Sequence, residues 1–239
     1  MTRRVLALSL ALVRNLYRTL FGVLPPVLTL LVYRLTFTYR NQGDPAYFTA
    51  VGGMGLAFVC VVTVLLVADR ANRAAMYPLI ARLPRRAEFL LAVVVATLFI
   101  MIAMAVLYAS FVLGFRHMTL TPIELLLVTP RWFSVFVLSA TLGLLMSRLA
   151  SRHSSHVIVF IGLGGLALSR EQVRYLSNGQ SSWLVDGVEF IVRPITDALT
   201  INLQSSDVLP ALAVTLLYAT VLLAIAVWLF QRKDLLWME

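Results

Sequence analysis

Cysteine is nearly missing from this 239-residue chain: Cys60 stands alone, inside an apolar run. That excludes an intrachain disulfide and a cysteine metal cluster. Lysine is equally scarce, Lys233 being the single one. A phosphate loop of the form G-x-x-x-x-G-K-[ST] needs a lysine behind its glycines, and none stands there, so the chain does not hydrolyse ATP by that mechanism. Acids are few, 11 against 20 basic residues. The long apolar runs hold no Asp, Glu, Lys or His. Carriers coupled to protons or sodium place titratable or carboxylate groups near the bilayer midplane, and channel filters use carbonyl or carboxylate rings. Neither pattern is present.

What the chain has in abundance is apolar sequence. It is 60% hydrophobic and 13% charged, with a mean hydropathy of +0.89. The apolar residues come in long unbroken blocks, which marks an all-α, polytopic membrane protein. The net charge of +9 would suggest nucleic acid in a soluble protein. Here it is accounted for by cytoplasmic loops facing anionic lipid, so no nucleic acid is expected.

The blocks divide the chain into an N-terminal helix, residues 1–20, and a six-span domain, residues 21–239. Residues 1–20 begin like a signal peptide, with Arg3 and Arg4 before an apolar stretch, but no small-residue cleavage site follows. On a helical wheel Arg3, Ala7, Ala11, Arg14 and Arg18 share one face, and Leu6, Leu10, Val13 and Tyr17 another. This predicts an amphipathic helix lying in the interface, held to the inner leaflet by its arginines. The spans are predicted at Phe21–Phe37, Thr49–Ala68, Phe89–Phe115, Trp132–Ser147, Val157–Leu168 and Val208–Phe230. Pro25-Pro26 should distort the start of the first. Gly52, Gly53 and Gly55 in the second permit close helix contact. The third is longer than a bilayer needs. Residues 116–130 read as a loop whose patch Ile123–Val128 rests at the outer interface, with Trp132 in the headgroup belt. The fifth, with Gly162, Gly164 and Gly165, is too short to cross alone without borrowing from its flanks. Residues 169–207 read as an outer loop with a helical apolar stripe of Trp183, Leu184, Val188, Ile191 and Val192.

Between the second and third spans lies a basic island, residues 69–87, with Arg70, Arg73, Arg82, Arg85 and Arg86 against Asp69. Arginines at that density cannot sit in hydrocarbon, where each costs roughly 3 kcal/mol at a helix centre. The island is therefore a cytoplasmic loop. Within it Ala75, Met76, Leu79, Ile80 and Leu83 recur at helical spacing, which predicts a short apolar-faced helix broken near Pro78. With both termini inside, the arginines of residues 1–20, of this loop, Arg148, Arg152, Arg232 and Lys233 outnumber those left outside: Arg40, Arg116, Arg131, Arg170, Arg174 and Arg193. The bias supports a cytoplasmic (inner) membrane protein with N and C termini in the cytoplasm.

These patches resemble the permease subunits of ABC transporters of the type-2 exporter class. Asp69-Arg70 matches the acidic-basic pair that closes the family's second span. Leu83-Pro84-Arg85-Arg86 and Glu88-Phe89-Leu90-Leu91 match the segment between its coupling helix and its third span. Ser182-Trp183-Leu184 and Arg193-Pro194-Ile195-Thr196 match its outer hairpin, and Gln231-Arg232-Lys233-Asp234-Leu235 its closing tail. Where the family carries a glycine after the acidic-basic pair, this chain has Asn72 or Ala74. The resemblance implies a homodimer or heterodimer of six-span subunits, without cofactor of its own, working with a separate ABC ATPase that binds the ATP. It implies that Arg70, Arg73, Met76, Leu79, Ile80 and Arg82 contact that ATPase through the coupling helix.

Other constellations point nowhere strongly. His153 and His156 have no third metal ligand nearby, and no nucleophile elbow frames a serine. Thr63, Thr97, Met101, Met104, Tyr108, Ser110, Ser139, Thr141 and Tyr218 would suit the lining of a path for hydrophobic or amphipathic cargo, and equally plain helix packing. The chain is thus expected to be no enzyme but the membrane subunit of an ATP-driven exporter. The alternative is a non-transporting membrane scaffold.

Overall fold

A computed structural model describes residues 2–36, 47–72, 86–116, 121–147, 149 and 208–231. Among them every regular element is a helix: α1 (Thr2–Tyr17), a 3-10 turn (Leu20–Val23), α2 (Leu24–Thr36), a π-helical turn (Phe48–Gly52), α3 (Gly53–Ala71), α4 (Arg86–Arg116), α5 (Pro122–Met146) and α6 (Val208–Gln231). Four of these stretches are long and apolar enough to cross a membrane: Phe48–Ala71, Ala87–Phe115, Glu124–Met146 and Leu209–Gln231. Among the described residues a fifth meets that measure only if α1 and α2, bent by 96° to one another, count as one. The predicted fifth span, at Val157–Leu168, and the coupling helix lie outside the described residues.

The first element packs on the bundle through a face that its wheel did not single out. Val5, Ser9, Leu12 and Leu16 are buried, at the i, i+4, i+7, i+11 spacing of one helix face, and α1 packs on α4 and α3. Leu6, Leu10 and Tyr17 stay exposed. The helix stops where Thr19 takes over the free carbonyl of Leu16, through its Oγ1 at 2.7 Å and its amide at 3.0 Å. The chain then doubles back so tightly at Gly22 that a Cβ there would lie 2.7 Å from the Tyr17 Cα. Only glycine fits such an approach. Pro25 and Pro26 follow directly on the 3-10 turn with which the predicted first span begins. They stand in the first turn of α2, where a missing N–H costs nothing.

Contacts along the helices set their directions. Phe21 lies by Arg70 and Val32 by Gly55, so α2 runs antiparallel to α3. Phe48, just ahead of α3, stacks on Tyr108 far along α4. Trp132 reaches Thr49, whereas Gly143 packs on Val61 and Val64, so α5 runs parallel to α3. Phe230, at the end of α6, stacks on Phe89, at the start of α4. Helices α3, α5 and α6 therefore point one way, α2 and α4 the other. The end of α5 and the start of α6 lie at opposite ends of the bundle.

The fourth predicted span begins earlier than expected. Thr121 is an N-cap, with Pro122 at the first helical position and Glu124 completing a capping box. The helix then runs unbroken through Pro130. The stretch read as a loop, residues 116–130, is thus mostly helical, and Arg131 lies within α5 rather than at its edge. It is 1% exposed. Trp132 is also buried, against the bundle. The prediction of a long third span holds: α4 has 31 residues, a rise of about 46 Å against a hydrocarbon core of roughly 30 Å.

Candidate functional site

Two ends of the bundle differ in chemistry. At one end α3 closes and α4 opens, bracketing the arginine-rich loop. The last turn of α3 splits its charged pair: Asp69 points outward, and Arg70 is buried to 8% exposure. The Arg70 guanidinium sits 4.8 Å from the centre of the Phe21 ring, in the bend between α1 and α2. Such a cation–π contact contributes roughly 0.5–2 kcal/mol, more as water is excluded. Asn72 ends the helix, its amide reaching the carbonyls of Ala68 at 2.9 Å and Asp69 at 3.3 Å. Of the six residues expected to meet an ATPase, only Arg70 is described, and it faces the protein. Arg73, Met76, Leu79, Ile80 and Arg82 lie outside the described residues.

Glu88 opens α4 on the far side of the loop. An acid in the first turn suits the positive end of the helix dipole. Its side chain is buried, and Oε2 has no hydrogen-bond partner. Phe89 beside it stacks on Phe230 at 6.4 Å. A shallow apolar groove of about 400 Å³ continues between Leu91 of α4 and Leu223, Val227 and Trp228 of α6. The basic arms of α1 approach the same end through the Phe21–Arg70 contact, and Arg232 and Lys233 come directly after Gln231.

The opposite end is aromatic. Tyr108 lies at the centre of a cluster: Phe48 is at 5.9 Å, Trp132 at 6.0 Å and Tyr33 at 6.5 Å. Polar tips tie the cluster to backbone. The Trp132 indole N–H donates to the Thr49 carbonyl at 3.0 Å, and the Tyr47 hydroxyl donates to the Thr36 carbonyl at 2.9 Å. The Tyr108 hydroxyl and Thr36 Oγ1 share a hydrogen bond at 3.2 Å. The π-helical turn brings Gly52 against the Tyr108 ring, with no room for a Cβ. Arg131 is buried one residue before Trp132 on α5.

The polar residues considered as a cargo lining do not converge. Thr63, Thr97, Ser110 and Thr141 each return their hydroxyl to a carbonyl three or four residues back in their own helix. Met101 and Met104 are buried in the core. Tyr108 belongs to the aromatic cluster, and the buried Ser139 Oγ has no hydrogen-bond partner. Among the described residues these groups serve packing. No group of three metal-ligating side chains occurs among them either. Two features have no plain signature in the sequence. The Phe21–Arg70 contact joins residues with no local signal linking them. Arg131 is masked by the late expected start of α5, although the Thr121-Pro122-Ile123-Glu124 capping box is there to be read.

Comparison with family models, with curated proteins and with solved structures gives no match.

Proposed function

We propose that this chain is the membrane-spanning permease subunit of an ATP-driven exporter of the type-2 ABC class. It works as a dimer of such subunits in the cytoplasmic membrane, both termini inside, with a separate ATPase bound to its cytoplasmic loops. The observation that carries the proposal is the gathering of basic sequence at one end of the bundle. The antiparallel pair α3–α4 brings the two roots of the arginine-rich loop, residues 69–72 and 86–87, to that end, beside the bend that leads to α1 and the end of α6. That asymmetry is what the positive-inside rule requires of a cytoplasmic face.

The parallel course of α5 and α6 supports the six-span reading. Two helices that point the same way need a returning crossing between them, and this reading keeps it at the sequence-expected Val157–Leu168. The first crossing falls to the turn Leu20–Val23 with α2, and α1 lies across it.

In this reading ATP-driven closure of two ATPase subunits pushes the loop at residues 69–87. The push moves α3 and α4 because the loop joins their ends. It shifts the equilibrium only as far as the ATPase binds the two permease states differently. The apolar helices suit a hydrophobic or amphipathic cargo. Affinity purification of the full chain in mild detergent tests the proposal. A P-loop ATPase is the expected companion. Recovery instead of a partner complex without any ATPase favours the scaffold reading.

A further inference from the structure

Helix α1 presents three faces at once. Val5, Ser9, Leu12 and Leu16 are buried on the bundle. Next to them Leu6, Leu10 and Tyr17 are exposed, continued through the bend by Leu20 at 90% exposure, Phe21 and Val23. Beyond these stand Arg3, Arg4, Arg14 and Arg18, all exposed. The helix contains no acidic residue to neutralise them. A water-facing helix would not leave that apolar strip open, and a helix crossing the bilayer would not carry four arginines. A strip of apolar side chains bordered by arginines fits one surface, the boundary between acyl chains and phosphate headgroups. The 96° bend from α2 lays the helix in that plane when α2 stands upright.

The bend is also the place where α1 touches the root of the arginine-rich loop. Phe21 lies under the Arg70 guanidinium at 4.8 Å. Gly22 leaves the chain no slack there, since its backbone rests on Tyr17 and Leu16. A shift of α1 on its membrane surface is therefore felt at Arg70.

We propose that α1 binds anionic phospholipid and that its occupancy sets the position of Arg70 through Phe21, making the loop end responsive to the charge of the membrane. The inference needs the chain to be a membrane protein but not the presence of an ATPase, so it stands or falls separately from the exporter reading.

The test uses the purified full chain in nanodiscs, either purely zwitterionic or containing phosphatidylglycerol. Two quantities are read: phosphatidylglycerol retained on the protein by native mass spectrometry, and the rate of tryptic cleavage after Arg70 and Arg73. Phosphatidylglycerol should be retained and should change the cleavage rate. Replacing Arg3, Arg14 and Arg18 by Gln should abolish both effects. About fivefold in affinity per arginine makes roughly a hundredfold for three. Phe21→Ala should keep lipid retention and lose the lipid dependence of cleavage. If Phe21→Ala still shows that dependence, the lipid acts on the loop directly and the link through Phe21 is wrong. If the triple Gln variant retains phosphatidylglycerol as the native chain does, α1 is not the binding surface. If inorganic phosphate reproduces the effect in zwitterionic discs, the ligand is free phosphate and not lipid.

Discussion

Gly52 and Gly114 show how differently one residue type behaves in one bundle. A Cβ on Gly52 would come within 2.8 Å of the Tyr108 ring, at the centre of the aromatic cluster, whereas Gly114 has open space around it. Overpacking a filled site costs roughly 1–3 kcal/mol, because neighbours must leave their rotamers. Gly52→Ala should therefore lower stability by about that amount. Gly114→Ala should leave it unchanged or raise it by a few tenths of a kcal/mol, roughly, through helix propensity. Thermal unfolding in detergent followed by circular dichroism checks the pair. Equal midpoints for the two variants would mean that the Gly52–Tyr108 contact does not hold the α3–α4 interface. The close-packing role of Gly52 and Gly55 was legible in the sequence as a cluster of small residues in a span. Their partners, Tyr108 and Val32, were not, since they lie on other helices and no local pattern names them. Arg131 was illegible for a related reason. An arginine in an apolar run reads as a boundary, and only tertiary packing can bury it.

At the scale of elements, α5 teaches how a start signal can be outweighed. The run Thr121-Pro122-Ile123-Glu124 has the cap, the N1 proline and the N3 acid that open a helix. The expected start at Trp132, just past Pro130 and Arg131, falls about ten residues later. In the structure Pro130 is absorbed within the helix, and the Thr129 hydroxyl bonds the Leu125 carbonyl beside it at 2.9 Å. The cap should then contribute measurably. Thr121→Ala removes both the acceptor for the Glu124 amide and a donor to its carboxylate, at a cost of about 1 kcal/mol. Hydrogen exchange should rise at the amides of Ile123 to Leu125 and stay unchanged near Gly143. No change at the first turn would show that the cap does not hold it. Helix α1 was legible as amphipathic but not in its orientation. Val5, Leu12 and Leu16 form a second apolar strip beside Leu6, Leu10 and Tyr17, and only contact with α4 and α3 shows which of the two packs on the bundle.

For the molecule as a whole, the number and length of apolar blocks gave the helical membrane class directly. The direction of each helix needed contacts between aromatic and small residues far apart in sequence. Those directions make a topological prediction. Reporter fusions after Ala150 and after Leu235 should both read cytoplasmic, and one after Gly179 external. An external reading at Ala150 would remove the return crossing between α5 and α6 and the six-span reading with it.

The partner is the central claim, and the residues expected to carry it are Met76, Leu79 and Ile80, which support no span. The most direct measurement compares ATPase copurification by the native chain with that by the Leu79→Asp, Ile80→Asp double variant in mild detergent. A charged pair in place of central apolar anchors should lower binding severely, since truncating one such anchor often costs about 2 kcal/mol or more. The full chain should still insert and fold, and a Leu209→Asn control at the far end of the bundle should copurify the ATPase at the native level. Loss of the ATPase from the double variant alone is the predicted result; full retention by the double variant would contradict the coupling role of residues 69–87.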